Sequence, residues 1–449
     1  MGKLFGTDGV RGVAGEYPLD ADTVFRLGAE LGNFLRHGDR VSRVVIGRDT
    51  RASGAWLEQM IIDGLAASGV EADVAEIFTT PGISFLVRSG GYQAGVVVSA
   101  SHNPYRDNGV KIFGENGMKM SDAVEEQLEH NIFQSSAKPQ LRSGTQYLER
   151  LLVVKEEFMR PYVGFLRQAA GETRQKYRIV VDSANGAAFR AGPDLLRSLG
   201  HEVIDIHNQP DGTNINLECG ALHPDEMCRT VVRHQAHFGV AFDGDADRSI
   251  FSDGSGQVVD GDHILYIFAR HLKERGELRG DRVVATVMSN VGLEVALRKY
   301  GIALERTQVG DRYVLEKMVG LRLNLGGEQS GHILLLDRSV AGDGILTTVE
   351  LMNVLSESGR TLGELTSELK KFPQILVNVS VGRKPDLSKF PAVRDRIDAA
   401  KTRLGDEGRV LVRYSGTEPI ARVMVEGRQE NMIRDIAREI AQAIQDEIG

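Results

Sequence analysis

The most informative part of this 449-residue chain is residues 95–104, which read GVVVSASHNP. The apolar run GVVV predicts a buried strand. The residues after it predict a turn that presents the hydroxyl of Ser101 at the end of the strand. His102 follows directly, and Lys111 returns a cation to the same neighbourhood. An exposed hydroxyl beside a base and a cation is typical of a covalent acceptor.

Around this stretch, short apolar runs alternate with amphipathic helical patterns, which predicts an α/β protein. A strand at 44–47 precedes a helix at 56–68, which Gly69 ends. Similar strand–helix units begin at 178–182 and at 282–287, each after a polar stretch, although no clean repeat period is visible. We therefore predict three α/β domains of similar build, at residues 1–153, 154–255 and 256–372.

The last part of the chain changes character after Pro373. Residues 375–381 predict a strand, and the runs at 410–413 and 422–425 predict a hairpin. Near the end, isoleucine and alanine recur at the spacing of one helix face. We predict a smaller α+β domain at residues 373–449.

Composition narrows the class of protein. The length fits about three domains. The net charge of −8, with no run of lysine and arginine to offset it, argues against a nucleic-acid partner. No apolar run reaches the roughly 18 residues of a membrane span, and the N-terminus has no signal-peptide pattern. Cys219 and Cys228 match no metal or redox spacing, so we expect two reduced thiols in a cytoplasmic protein without a membrane partner.

Three carboxylates follow the strand-like run at 238–242, in the sequence DGDADR. Asp243, Asp245 and Asp247 can converge on one hard cation such as Mg²⁺, which prefers oxygen ligands. A calcium EF-hand loop is excluded, because it needs glycine and glutamate where this chain has Arg248 and Gly254. A solvated acidic turn is the alternative, but acids beside apolar strand residues would repel one another without a cation.

Two glycine-rich stretches carry further polar groups. Residues 326–332 read GGEQSGH, and their glycines can turn Glu328, Ser330 and His332 into one cleft, although an ordinary glycine-rich hairpin fits as well. The order is not that of a hydrolase nucleophile elbow. Residues 5–12, FGTDGVRG, form a loop with one arginine, Arg11. No P-loop and no dinucleotide fingerprint occurs in the chain.

Near the C-terminus, residues 413–419 read RYSGTEP, and Arg422 follows. Guanidinium groups suit bidentate recognition of phosphate, and turn amides and hydroxyls add further donors. The alternative is a polar hairpin loop with surface arginines. We favour a phosphate site.

Taken together and in this order, the motifs resemble the α-D-phosphohexomutase superfamily over essentially the whole chain. Three features resemble the bacterial branch that acts on glucosamine phosphates: FGTDGVRG at 5–12, Gln329 within GEQSGH, and TQVGDRYV at 307–314. Tyr414 departs from that branch, which commonly carries proline there. The resemblance implies three similar α/β domains with mixed sheets and a smaller α+β domain around a central cleft.

The resemblance also implies a role for each candidate residue. Ser101 would be carried as phosphoserine, and one of its phosphoryl oxygens would join Asp243, Asp245 and Asp247 as a ligand of Mg²⁺. Arg11, Lys111 and Arg248 would surround the transferring phosphoryl group, and His102 and Lys111 remain alternative proton-transfer groups. The sugar would be bound by Glu328, Ser330 and His332. The second phosphate would be held by Arg413, Ser415, Gly416, Thr417 and Arg422.

The implied activity is reversible conversion of glucosamine 6-phosphate to glucosamine 1-phosphate, through a glucosamine 1,6-bisphosphate intermediate that also acts as activator. Such an enzyme would supply amino-sugar nucleotide and cell-wall precursor synthesis. The alternatives are a mutase for mannose and glucose phosphates and, on the same fold, a non-catalytic phosphosugar-binding protein. We expect a phosphosugar substrate and count a homodimer among the assemblies open to the chain.

Overall fold

The computed structural model describes residues 4–6, 8–36, 42–139, 152–171, 175–415 and 419–449. The chain forms two compact units. The first consists of Met1–Val287 and Glu305–Thr366, and the second consists of Met288–Leu304 and Ser367–Gly449. Each unit is described by itself.

The first sheet of the first unit is built from the N-terminal part of the chain. Its strands and flanking helices are β1 (Val10–Val13), α1 (Ala21–Leu35), β2 (Arg43–Arg48), α2 (Gly54–Ala67), β3 (Glu71–Ile77), α3 (Thr80–Gly90), β4 (Ala94–Val98), β5 (Asp107–Gly114) and α4 (Asp122–Gln134). The strand order is β1-β5-β4-β2-β3. Every residue of β4 is buried, because β4 lies at the centre of the sheet between β2 and β5.

The second sheet follows in the chain and has a similar build. Its elements are α5 (Glu156–Ala169), β6 (Arg178–Asp182), α6 (Ala191–Ser198), β7 (Glu202–Ile206), α7 (Asp225–His234), β8 (Phe238–Phe242), β9 (Ser249–Asp253) and β10 (Val258–Val259). The strand order is β10-β9-β8-β6-β7. Strands β6, β7 and β8 are parallel, and β9 is antiparallel to β8.

The third sheet is smaller. The elements of this part of the chain are α8 (Gly261–Glu274), β11 (Arg282–Thr286), α9 (Val291–Arg298), β12 (Ala303–Thr307), α10 (Asp311–Leu321), β13 (Leu325–Gly327), β14 (Ile333–Leu335), α11 (Gly344–Ser358) and α12 (Leu362–Thr366). The strand order is β12-β11-β13-β14. Helix α9 follows β11 in the chain but falls in the second unit.

A common four-strand order runs through the three sheets. It is β5-β4-β2-β3 in the first, β9-β8-β6-β7 in the second and β14-β13-β11-β12 in the third. The first two strands of each order are antiparallel neighbours joined by one loop. These three loops contain Ser101, the aspartates of DGDADR, and the residues of GEQSGH that follow Gly327, the last residue of β13. The prediction of three similar α/β domains with mixed sheets is confirmed, and the shared order gives the three motifs equivalent positions.

The second unit contains the smaller α+β fold that we predicted. Its remaining elements are β15 (Gln374–Ser380), α13 (Pro391–Leu404), β16 (Gly408–Tyr414), β17 (Ile420–Gly427) and α14 (Glu430–Ile448). The antiparallel order is β15-β17-β16, and the isoleucine face of α14 is buried in its core. The buried Glu426 accepts from Arg409 at 2.5 Å and from Asn290 at 3.3 Å, which attaches the segment before α9 to this sheet. The four domain boundaries stay a prediction.

Two expectations from composition concern the whole chain. Both cysteines are free and buried, as expected for reduced thiols. Among the residues that the structure describes, no helix combines the length and the apolar character that crossing a membrane requires.

The buried carboxyl of Asp343, at the N-terminus of α11, should make the stability of the fold depend on pH. Burial raises the pKa of its carboxyl to about 6, although Leu346 N–H and the Tyr162 hydroxyl donate to it. The folded state therefore holds the Asp343 proton more tightly than the unfolded state does. The protonated carboxyl contributes fully to the free energy of unfolding below about pH 4, and this contribution is lost as the pH rises through about 6.

We therefore compare the free energy of unfolding of Asp343→Asn with that of the wild type. The difference in favour of the variant should grow by about 3 kcal/mol between pH 4 and pH 7, because the variant has no proton to lose. Thermal unfolding of both proteins across that range measures the difference. The exposed Asp194→Asn is the control, and a difference that is the same at every pH would refute the assignment.

Candidate active site

Ser101 lies in the turn after β4, as the sequence predicts, but its side chain is not exposed. Its relative exposure is 1%, and its φ of +51° places the backbone in the left-handed region. The Ser101 N–H donates to Ser99 Oγ at 2.9 Å, while Arg51 and Asn216 donate to the Ser101 carbonyl at 3.0 and 2.8 Å. The expectation of a presented, exposed hydroxyl is therefore wrong, because the loop of the second sheet covers this turn.

The covering loop joins β8 to β9 and carries the three aspartates. The Ser101 hydroxyl donates to Asp243 Oδ2 at 2.5 Å. Asp243, Asp245 and Asp247 are all buried, and each offers one carboxylate oxygen within 4.8 Å of the others. A solvated acidic turn does not fit this burial.

The donor set of this cluster fits a divalent cation. Burial, together with Asp247 and Asp245, raises the pKa of Asp243 well above its usual range. Among the described residues, Asp245 Oδ1 accepts no hydrogen bond. Three buried carboxylates with an unpartnered oxygen are the oxygen-rich environment that Mg²⁺ prefers.

Lys111, on β5, supplies a positive charge at the same place. Its ammonium donates to Asp245 Oδ2 at 2.9 Å and to Asp247 Oδ2 at 3.2 Å, and it lies 3.5 Å from Asp8 Oδ2. Burial alone would lower the pKa of Lys111, but the carboxylates of Asp245, Asp247 and Asp8 raise it well above its usual range. The ammonium form of Lys111 is therefore favoured at neutral pH.

Other predicted residues border the serine and the aspartates. His102 Nδ1 lies 3.2 Å from Ser101 Oγ, and burial, followed by Arg248, lowers the pKa of His102 to about 4. The imidazole is therefore neutral near pH 7 and can accept a proton. Arg248 Nε lies 3.8 Å from Asp247 Oδ1, and the Arg11 guanidinium pairs with Asp8.

The GEQSGH loop of the third sheet packs against the aspartate loop. Ser249 N–H donates to the Gly331 carbonyl at 3.1 Å, and Gly331 has a φ of +92°. A Cβ at Gly331 would lie 2.3 Å from the Ser249 carbonyl oxygen, so only glycine permits this approach.

This contact brings two predicted sugar-binding residues to the site. His332 Nδ1 lies 3.7 Å from Asp247 Oδ1, Glu328 accepts from Gly310 N–H at 3.1 Å, and Ser330 is half-buried in the loop. Of these three residues, His332 lines a cavity of about 980 Å³, together with Asp247 and Asp311. A cavity of this size can hold a phosphorylated sugar.

In the second unit, the predicted phosphate residues lie on the β16–β17 hairpin. Arg413 and Arg422 are directly opposite in the antiparallel register and therefore share one face of the sheet. Two guanidinium groups in this arrangement favour a bound anion between them. Ser415 is buried, and its carbonyl accepts from Lys384 at 2.6 Å. Gly416 and Thr417 lie outside the described residues.

Sequence reasoning missed several residues of the site. The Thr80 hydroxyl donates to Asp245 Oδ2 at 2.5 Å, and Lys119 pairs with Asp311 at 2.6 Å and with Asp8. The carbonyl contacts of Arg51 and Asn216 were missed as well. These side chains are far apart in the chain and belong to no local motif. Asp311 lay within TQVGDRYV, which marked a resemblance but indicated no role.

Gly244 lies between the first two aspartates, and we expect its replacement by alanine to lower turnover strongly. A Cβ there would lie 2.5 Å from the Ser101 carbonyl oxygen, so Gly244→Ala must push the aspartate loop away from the serine. We expect turnover to fall about 10²-fold, since such displacements at a reacting centre are costly. Steady-state kinetics measures this effect.

Gly164→Ala in helix α5 is the matched control, because its Cβ would meet nothing within 4 Å. It should leave turnover unchanged and favour the helix slightly. Equal turnover in the two variants would show that the close approach of the loop to Ser101 is unimportant.

Sequence models of all four domains of one family match the chain. They are described as phosphoglucomutase/phosphomannomutase α/β/α domains I, II and III and the C-terminal domain, and they match residues 2–139, 160–256, 260–372 and 376–443. The chain therefore belongs to the phosphoglucomutase/phosphomannomutase family. The predicted resemblance is confirmed, and the chain is an enzyme of the phosphosugar mutase class.

Two individual proteins are similar to this chain over nearly its whole length. The chain is 48% identical over 446 residues to the phosphoglucosamine mutase of Solibacter usitatus, covering 99% of both chains. It is 47% identical to the phosphoglucosamine mutase of Koribacter versatilis, covering 100% of this chain and 97% of the relative.

Solved structures share the fold. A phosphoglucomutase/phosphomannomutase family protein from Burkholderia thailandensis superimposes with a TM-score of 0.81 at 25% identity, covering 99% of this chain and 97% of that one. A further fold match, with a TM-score of 0.63 at 19% identity, is the Aspergillus fumigatus N-acetylphosphoglucosamine mutase in complex with GlcNAc-6P and magnesium, over 99% of this chain and 95% of that one.

Proposed function

We propose that this enzyme interconverts glucosamine 6-phosphate and glucosamine 1-phosphate by way of a phosphoryl group carried on Ser101. The observation that carries the proposal is the hydrogen bond from the Ser101 hydroxyl to Asp243, inside a buried cluster of three carboxylates. The two relatives described above, both phosphoglucosamine mutases, support the choice of substrate.

The reaction consists of two phosphoryl transfers. In the first, the bond between phosphorus and Ser101 Oγ breaks and a bond forms between phosphorus and the oxygen of the free sugar hydroxyl. The proton of that hydroxyl passes to a base, and the departing Ser101 Oγ takes up a proton to become a hydroxyl again. The product is glucosamine 1,6-bisphosphate. After the sugar turns around, its other phosphoryl group returns to Ser101 and leaves the isomerised monophosphate. Such transfers need positioning and charge stabilisation from the protein more than covalent chemistry.

The charges around Ser101 suit this task. Phosphoserine carries about −1.5 to −2 charges near neutral pH. Asp243, Asp245 and Asp247, with a phosphoserine oxygen, would hold Mg²⁺, which when bound offsets the charge of the phosphoryl group. Lys111, Arg11 and Arg248 add fixed positive charges at the same place.

The sequence left His102 and Lys111 open as the group that transfers the proton. Lys111 is held as an ammonium by the carboxylates of Asp245, Asp247 and Asp8. His102 is the nearer base to the serine, at 3.2 Å from its hydroxyl oxygen. We therefore assign electrostatic stabilisation to Lys111 and acceptance of the sugar hydroxyl proton to His102.

The remaining predicted residues would bind substrate. Glu328, Ser330 and His332 would bind sugar hydroxyls. Ser415 and the paired Arg413 and Arg422 would hold the phosphate that does not react. This phosphate site, formed by Ser415, Arg413 and Arg422, must accept either phosphate in turn, because the sugar reverses between the two transfers.

Arg413→Ala should therefore weaken substrate binding more than catalysis. We expect KM to rise about tenfold or more with a smaller change in kcat, since a charge-assisted contact contributes about 1.5–3 kcal/mol. Arg394→Ala, in the exposed part of α13, is the control. An unaltered KM would show that the site for the second phosphate lies elsewhere.

The substrate assignment is tested by comparing turnover of glucosamine 6-phosphate with that of mannose 6-phosphate and glucose 6-phosphate. We expect the highest kcat/KM for the amino sugar. A higher kcat/KM for either neutral sugar would favour a mutase for mannose and glucose phosphates. No turnover of any of them would favour a phosphosugar-binding protein.

A further inference from the structure

Asp311 is the first residue of α10 and lines the cavity of about 980 Å³ beside the GEQSGH loop. Its Oδ2 lies 3.8 Å from His332 Nε2, on the side of the imidazole opposite the nitrogen that faces Asp247. A carboxylate therefore stands next to the residue expected to bind sugar hydroxyls. Neither the phosphoryl transfer nor the candidate metal cluster accounts for it.

The Asp311 carboxylate has the capacity to bind a further donor. Oδ2 accepts from Lys119 at 2.6 Å, and Oδ1 accepts from the Arg312 N–H at 2.9 Å. Each carboxylate oxygen has two lone pairs, so one acceptor site on each oxygen remains. Burial opposes ionisation, but Lys119 and His332 lower the pKa of Asp311, so the carboxylate is charged at neutral pH.

The other acidic residues that line the cavity are less suited to this role. They are Glu115, Asp247 and Glu316. Asp247 belongs to the candidate metal cluster, and the two glutamates are exposed to solvent. Asp311 thus combines partial burial, a fixed charge and a position beside His332.

We propose that Asp311 is the specificity-determining residue that binds the ammonium group of a 2-amino sugar phosphate, an inference that rests on the proposed function. Such an amine is largely protonated near pH 7, as α-amino groups are. A carboxylate attracts an ammonium by charge as well as by hydrogen bonding, whereas a hydroxyl at the same carbon offers only the hydrogen bond. Asp311 therefore favours the amino sugar over the neutral hexose phosphate.

The test compares wild type and Asp311→Asn for kcat/KM on glucosamine 6-phosphate and on glucose 6-phosphate. The ratio of the two values should fall about 10- to 100-fold, as expected for the loss of a charge-assisted contact. Asparagine is accepted in a first helical turn, and Lys119 keeps its pairing with Asp8, so the variant should fold. Asp311→Ser takes its place if circular dichroism shows otherwise.

Glu316→Gln is the matched control, since it removes an exposed carboxylate of the same helix and the same cavity. Its ratio should equal that of the wild type. If Asp311 only supported the fold, both substrates would lose the same factor. A ratio that falls by less than about threefold in the Asp311 variant overturns the proposal.

Failure of this inference differs from failure of the proposed function. The wild type alone tests the function, because it must prefer the amino sugar. If it does and the Asp311 variant keeps that preference, only the role of Asp311 is refuted. If the wild type prefers glucose 6-phosphate, the proposed function itself is wrong.

Discussion

Ser101→Ala should lower turnover by at least about 10⁴-fold, the scale seen when a covalent nucleophile is removed from an enzyme. The physical reason is that the variant has no oxygen to carry the phosphoryl group between the two transfers. Its buried surroundings change little, since the backbone contacts from Ser99, Arg51 and Asn216 do not involve the lost hydroxyl. Steady-state kinetics measures the loss, and the intact mass should lack the phosphoryl group found on the wild type.

Ser89→Ala is the matched control, because this serine lies exposed on α3. It should keep both the turnover and the phosphoryl group of the wild type. Normal turnover in Ser101→Ala would refute the mechanism. A phosphoryl group that persists in that variant would place the carrier on another residue.

Asp245→Asn should have the second largest effect, a loss of at least about 10²-fold in turnover at limiting Mg²⁺. Asp245 Oδ1 is one of two oxygens of the carboxylate cluster, with Asp247 Oδ1, that accept no hydrogen bond from the described residues. Asparagine removes the charge that a divalent cation needs. Lys111 still pairs with Asp247 and Asp8, so the fold should persist. Added Mg²⁺ should restore part of the activity, because the defect lies in the affinity for metal.

The rate of each protein is measured as a function of Mg²⁺ concentration, with all metal first removed by a chelator. Asp225→Asn, exposed on α7, should behave as the wild type does. If Asp245→Asn has the same Mg²⁺ dependence as the wild type, or the wild type is fully active without metal, the cluster is not the metal site.

Much of the fold could be predicted because its local signals are strong. The strand at 178–182 matches β6 residue for residue, since its apolar run is bounded by polar residues. The hairpin and the last helix of the second unit were also predicted from alternation and helical spacing. The order of strands was not predictable, because pairing between distant strands leaves no local pattern.

In the candidate active site too, residues in local motifs could be predicted from the sequence, whereas contacts between distant residues could not. Ser101, the three aspartates and GEQSGH could be found because each set is contiguous and follows a strand. Contacts such as Thr80 with Asp245 could not, since the two residues are 165 positions apart. Ser101 is closely approached by Gly244, a residue of the distant loop between β8 and β9, so the sequence around the serine suggested exposure instead. The homodimer stays a prediction.

Transfer of a labelled phosphoryl group tests the central claim most directly. The enzyme is prepared with a radioactive phosphoryl group on Ser101 and mixed with unlabelled glucosamine 6-phosphate for a single turnover. We expect the label to leave the protein and to appear in glucosamine 1,6-bisphosphate and then in a sugar monophosphate. If unlabelled product forms while the label remains on the protein, phospho-Ser101 is not the donor.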